Sequence, residues 1–160
     1  MARQFSLPEI IPPVQLLNPA ADAAGRTSGY VNVSKLDKAY IVCHLTQGNA
    51  ATVQFSVLQA QDTSGTGSKA ISATPIWSNL DESVTDQLTK QTSAASYTTD
   101  AATKNKVVIF EISPQDCMDL VNGFHTIAVQ TGASNAANIT EAMIYGLHRY
   151  QQAQPPSILT

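Results

Sequence analysis

Few side chains in this sequence are of a type and spacing that could do chemistry. His44, His125 and His148 are the three histidines. Each lies in a run of β-forming residues, and no two are spaced as ligands on one element. A zinc centre needs three or four His, Cys or carboxylate groups to converge, so these read as sheet histidines and no metal is expected. Asp81, Glu82 and Asp86 form a small acidic cluster, but calcium wants more oxygens at tighter spacing, as in Asp-x-Asp-x-Asp-Gly. Gly65-Thr66-Gly67 lacks the following helix and lysine of a phosphate-binding loop, and no cofactor is expected. Serines abound, yet none sits in a Gly-x-Ser-x-Gly elbow. Cys43 and Cys117 both lie in apolar segments and read as buried thiols. These residues argue against an enzyme.

The elements that would have to position any site are strands. Lys38–Gln61 carries two β-forming runs around Gln47-Gly48-Asn49 and reads as a hairpin. In its first run Tyr40, Val42 and His44 share one face while Ile41, Cys43 and Leu45 share the other. Apolar groups on both faces imply burial inside a sandwich, with one flank against a neighbouring subunit. Val53, Phe55 and Val57 line one face of the second run. Lys106–Ile112 is the most apolar strand, with Val108, Phe110 and Ile112 opposite Val107 and Ile109. Phe124–Thr131 and Ile139–Tyr150 complete the set. Pro75, within the strand Ala70–Ser78, marks an edge or a bulge. Ser113-Pro114-Gln115-Asp116 opens a helical turn, with Ser as N-cap and Pro at the first position. Seven or eight strands with turn signals between them predict an all-β single sandwich of jelly-roll or Greek-key connection.

The two ends differ from this body. In residues 1–29, Pro8, Pro12, Pro13 and Pro19 break regular structure, while Phe5, Leu7, Ile10, Ile11, Val14, Leu16 and Leu17 are apolar. That pattern predicts an extended arm that must lie on something, with the small-residue stretch Ala20–Gly29 as its hinge. Residues 30–150 form the sandwich domain, and 151–160 a tail with a Pro-Pro stop and an apolar tip. Trp77, the single tryptophan, reads as a core or interface anchor.

Composition bears on partners. Charged residues make up 13% of the 160, against roughly 25% in average soluble domains. The deficit is filled by Ala, Ser, Thr, Gln and Asn, as expected if other protein covers much of the surface. Net charge is −3 and the nine basic residues are scattered, so neither nucleic acid nor an anionic membrane is an expected partner. The longest apolar run is too short to span a bilayer. The first residues, MARQFSLPEIIPP, lack the pattern of a secretory signal, so synthesis in the cytoplasm is expected.

The proline-broken segment LPEIIPPVQLLNPAADAAGRTSGYV, the stretch FSVLQAQDTSGTGSKAI, the Trp77 strand and the ending YGLHRYQQAQPPSILT give the chain its character. In these it resembles small virion structural proteins of tailed bacteriophages, in particular capsid decoration (cement) proteins. The resemblance is one of layout and composition, without an invariant motif. It implies a β-rich subunit, a homotrimer or dimer, on the capsid exterior, bound to the major capsid protein and stabilising the head. Phe5, Leu7, Ile10, Ile11, Val14, Leu16, Leu17 and Trp77 would be the interaction residues. The chain departs from short cement proteins in length and in its long polar stretch 80–103. That leaves an alternative: a head-fibre or tail-associated receptor-binding or carbohydrate-binding sandwich module, with Tyr97, Trp77 and the 80–103 loop as its site.

Overall fold

The computed structural model describes residues 6–150 and 155–160. A helical turn, α1 (Leu7–Ile10), leads into β1 (Pro13–Ala21), β2 (Arg26–Thr27), β3 (Val31–Asn32), β4 (Leu36–Gln47), β5 (Gln54–Ala60) and β6 (Lys69–Ala70). There follow β7 (Thr74–Asn79), β8 (Thr89–Ala94), β9 (Ser96–Thr98) and β10 (Asn105–Ile112). A second helical turn, α2 (Pro114–Cys117), and a 3-10 turn, Leu120–Asn122, precede β11 (Thr126–Thr131) and β12 (Asn138–His148). The first sheet has the order β1-β12-β4-β10-β7-β8 and the second β2-β11-β5-β6, with β3 also on β11 and β9 also on β5. All pairings are antiparallel. The all-β sandwich expected from the alternation is therefore what forms. The pairs β1–β12, β2–β11, β4–β10 and β5–β6 nest one inside another along the chain, which is the jelly-roll arrangement.

The hairpin expected over Lys38–Gln61 does not form. β4 pairs with β10 and β12 in the first sheet, and β5 pairs with β11, β6 and β9 in the second. Residues 48–53 instead arch from one sheet to the other. The reason is visible in burial: Ile41, Cys43 and Leu45 of β4 and Phe55 and Val57 of β5 are all fully or nearly fully buried. Two apolar faces gain most by meeting across the core rather than lying side by side in one sheet. Buried polar groups hold the arch. The Asn138 side chain accepts from the Asn49 N–H (2.8 Å) and donates to the Ala51 carbonyl (2.8 Å). Gly48 passes so close to β12 that a Cβ there would sit 2.5 Å from the Ala137 carbonyl oxygen.

The core lies between the sheets. Phe55, Phe110, Ile41, Ile76, Ile112, Ile127, Ile144, Leu36 and Val53 are among its fully buried side chains, each contributing about 1.5–3 kcal/mol. Pro75 marks a bulge, not an edge: β7 is flanked by β10 and β8, and its register with β8 shifts between Thr74 and Ile76. The turn at Pro114 forms where expected. Ser113 precedes it in extended conformation without a side-chain cap bond, and its carbonyl accepts from Asp116 and Cys117.

The expected division at residue 29 is redrawn. Pro13–Ala21 pairs with β12 as the edge strand of the first sheet, and Leu17 is 4% exposed in the core. The expected hinge is pinned as well. Arg26 donates from Nη2 to the Thr140 carbonyl (2.6 Å) and hydroxyl (2.8 Å), and the fully buried Asp22 accepts from Thr131 Oγ1 (2.6 Å). Prolines did not prevent a strand because β1 lies at an edge and its register breaks twice, between Gln15 and Leu17 and between Leu17 and Ala20. What precedes the body is thus only the segment ahead of Pro13. The tail also returns to the body: Ile158 is buried, and its carbonyl accepts from the Asn32 N–H at 2.7 Å.

Candidate protein interface

The two outer faces of the sandwich are unlike. On the second sheet the outward positions of β5 and β11 are Gln54, Ser56, Leu58, Thr126, Ala128 and Gln130, small or polar for the most part. The chain covers part of this face itself. Tyr30 enters from the β11 edge, and its hydroxyl hydrogen-bonds the Ser68 hydroxyl beyond β5. Its ring packs so tightly beside Gly65 (φ 87°) that a Cβ there would lie 2.9 Å away.

The first sheet turns a different surface outward. One register row runs Met143, Val42, Ile109, Trp77, Lys90 across β12, β4, β10, β7 and β8. The next row runs Tyr145, Tyr40, Glu111. Met143, Val42, Ile109, Trp77, Tyr145 and Tyr40 are all half-buried, shielded by one another at the middle of a six-stranded sheet. Four aromatic or sulfur-bearing anchors (Trp77, Tyr40, Tyr145, Met143) belong to the residue types enriched at the centres of protein interfaces.

Charge on this face is sparse and ordered. Lys38 donates to Glu111 beside Tyr40, and the bond lowers the Glu111 carboxyl and raises the Lys38 ammonium from their ordinary ranges. Lys90 stands 5.7 Å from the centre of the Trp77 ring, a cation–π distance. Glu141, cross-strand from His44 on β12, makes no ion pair among the described residues.

The residues expected to interact are dispersed by the fold. Trp77 lies on the outer face just described. Leu17 is core, and Val14 and Leu16 pack partly buried against that core. Leu7 is 45% exposed on α1, with Ile10 and Ile11 half-buried beside it. Phe5 lies outside the described residues. Tyr40, Val42, Ile109, Met143 and Tyr145 are outside the expected set; the two-faced apolar pattern of Tyr40–Leu45 and Lys106–Ile112 marks Tyr40, Val42 and Ile109 as apolar positions without telling outer face from core.

The 80–103 excursion is tied from beneath. Lys106 is fully buried; its ammonium donates to Gln47 Oε1 (2.7 Å) and to the Asp100 carbonyl (3.0 Å), and pairs with the Asp100 carboxylate. That pairing lowers the Asp100 carboxyl from its usual range. The cleft above, about 520 Å³, is lined by polar groups including Asn79, Asp81, Thr85, Gln87, Gln91 and Lys104. Tyr97 faces inward and reaches Ser78 at 3.4 Å, whereas Trp77, the next residue of β7, faces out. The fold therefore does not bring Tyr97 and Trp77 together as one carbohydrate platform. Among the described residues, no group of three or more His, Cys, Asp or Glu is placed to hold a metal ion.

These features define the chain as a jelly-roll sandwich with one self-covered and one uncovered outer face. No protein-family model matches it, and no curated protein does. Among solved structures it is similar to the SPBc2 prophage-derived protein YomS, at 10% identity and TM-score 0.45, over 84% of this chain and 90% of that one. A chain of the Triatoma virus structure aligns at 10% identity and TM-score 0.35, over 100% and 73% of the two chains. A Bacteroides thetaiotaomicron protein described as sugar-binding aligns at 10% identity and TM-score 0.28, over 78% and 66%. Likenesses this remote carry no argument about what the chain does.

Proposed function

We propose that this protein is a non-enzymatic virion structural subunit, a capsid decoration protein that binds the major capsid shell and neighbouring copies of itself and stabilises the head. The observation that carries the reading is the aromatic and aliphatic outer face of the first sheet, which has no counterpart on the second. A soluble monomer that left such a face open would expose a patch of the kind that marks a protein contact. The low charged fraction of the chain agrees with a subunit that works by being covered. Jelly rolls recur in viral capsid domains and in lectins, a fold-level analogy that agrees with the reading without carrying it.

The mechanism is avidity. The segment ahead of Pro13, with Leu7, Ile10 and Ile11, reaches the shell, carried by the edge strand β1 of the sandwich. Many weak contacts repeated over a lattice hold adjacent capsomers far more tightly than any single contact would. Co-sedimentation with heads purified from the encoding phage after deletion of this gene tests the reading. The full chain is expected to pellet with the heads in saturable amounts and to raise their disruption temperature. Failure of the full chain to bind such heads would overturn it.

A further inference from the structure

We infer that the small cavity between the start of β4 and the end of β12 is a binding site for a phosphate group, held by Lys35, His148 and Arg149.

Charge pairing across the molecule gives the reason. Arg26, Lys38, Lys69, Lys104 and Lys106 each have a carboxylate within ion-pair distance. Among the described residues, Lys35, Lys90 and Arg149 have none. Lys90 stands over the Trp77 ring. The other two cations are far apart in the chain, and the fold sets them side by side: the Arg149 N–H donates to the Lys35 carbonyl at 3.1 Å. Both line one cavity of about 160 Å³, together with Ser34, His148, Tyr150 and Pro156 of the returning tail. Among the described residues no acidic side chain borders it, although the chain carries a net charge of −3.

The donors are held in place and left open. Arg149 is anchored by neutral acceptors: Nε donates to the Leu36 carbonyl (3.2 Å), and Nη2 donates to the Gln115 amide oxygen turned toward it (2.7 Å). Its Nη1 has no partner among the described residues, and neither has the Lys35 ammonium. His148 Nδ1 is buried without a hydrogen bond among them. Burial, and then the Lys35 charge, lower the imidazolium from its ordinary range. Pro155, Pro156 and Ile158 of the tail and Pro12 and Val14 beside β1 also border His148 and bring no titratable group. The ionisable groups around the ring are therefore Lys35, Arg149 and Tyr150. A phosphate group offers its oxygens to donors that arrive from separate directions, here two cations, an imidazolium and the hydroxyls of Ser34 and Tyr150. The cavity is smaller than the roughly 300–1,000 Å³ of pockets that enclose drug-sized ligands, so the phosphate itself is the part enclosed.

Titration of the full chain with inorganic phosphate at constant ionic strength, followed by the NMR signals of His148, tests this. Saturable binding is expected, and the His148 titration midpoint should move upward as the bound anion offsets the Lys35 charge. Sulfate does not titrate in this range, so its affinity should rise at least about twofold from about pH 8 to about pH 5 as His148 gains its proton, and His148→Gln should remove that rise. Lys35→Gln, on an exposed side chain, should weaken phosphate binding at least about fivefold with an unchanged unfolding midpoint. Lys90→Gln, at the other cation without a carboxylate, should leave binding as it is. Methyl phosphate that binds as tightly as inorganic phosphate would assign the site to a phosphate monoester, and weaker binding would assign it to the free ion. No saturable binding, an unmoved His148 midpoint, or an equal loss in Lys90→Gln would each overturn the inference. The readout needs no heads, so its failure leaves the proposed function standing.

Discussion

At the scale of single residues, the informative groups are those that tie the body together. Gln47 is 2% exposed and serves four partners: its amide donates to the Ala51 and Asp100 carbonyls, and its oxygen accepts from Lys106 and Thr99. Gln47→Leu keeps the volume but leaves a fully buried ammonium with one acceptor fewer. It is expected to cost about 2–3 kcal/mol in urea unfolding. Acid should act through Asp100 and Glu111, whose carboxyls are held low by Lys106 and Lys38. A depressed folded value means that the stabilisation is present above the unfolded value and lost as pH falls through the folded one. Stability should thus decline from about pH 4 downward, less steeply in an Asp100→Asn, Glu111→Gln double variant. The thiols are inert by burial, which pushes Cys117 up to about 11 and Cys43 higher still. Neither should react with a thiol reagent at neutral pH until the chain is unfolded.

At the scale of elements, strand content was readable from period-two alternation, and so was the turn at Pro114; at Pro75 the sequence left edge and bulge open, and its single strand Ala70–Ser78 divides into β6 and β7 in different sheets. Partnering was not. Lys38–Gln61 has the composition of a hairpin, and only the opposite core faces of Ile41 and Phe55 decide that it arches between sheets. Proline likewise misled at the N-terminus. Pro13 and Pro19 lie in an edge strand with a broken register, where a missing N–H costs little. Two truncations separate the segments. Removal of residues 1–11 should leave the unfolding midpoint within about 2 °C of the full chain and abolish binding to heads. Removal of residues 1–29 takes away β1, Asp22 and Arg26 and should leave a chain that does not fold cooperatively; circular dichroism melts read both. Of the site, Trp77 was legible as an isolated large aromatic. Its neighbours Tyr40, Val42, Ile109, Met143 and Tyr145 were not, because a half-buried outer face and a core face look alike in a strand apolar on both sides.

At the scale of the whole molecule, the nested strand pairs make a rigid body with two unequal sides. The side crossed by Tyr30 is small and polar; the other offers a tryptophan, two tyrosines and a methionine among aliphatic neighbours. If the protein works by being covered, that second side is where the covering falls. Hydroxyl-radical footprinting reads this directly, since Trp77, Met143, Tyr40 and Tyr145 are among the side chains most readily oxidised. In assembled particles these four should be strongly protected relative to the dilute chain, while Tyr30 on the opposite face changes little. Equal oxidation of Trp77 and Met143 in the dilute and the assembled protein would contradict the assignment of this face as the working surface.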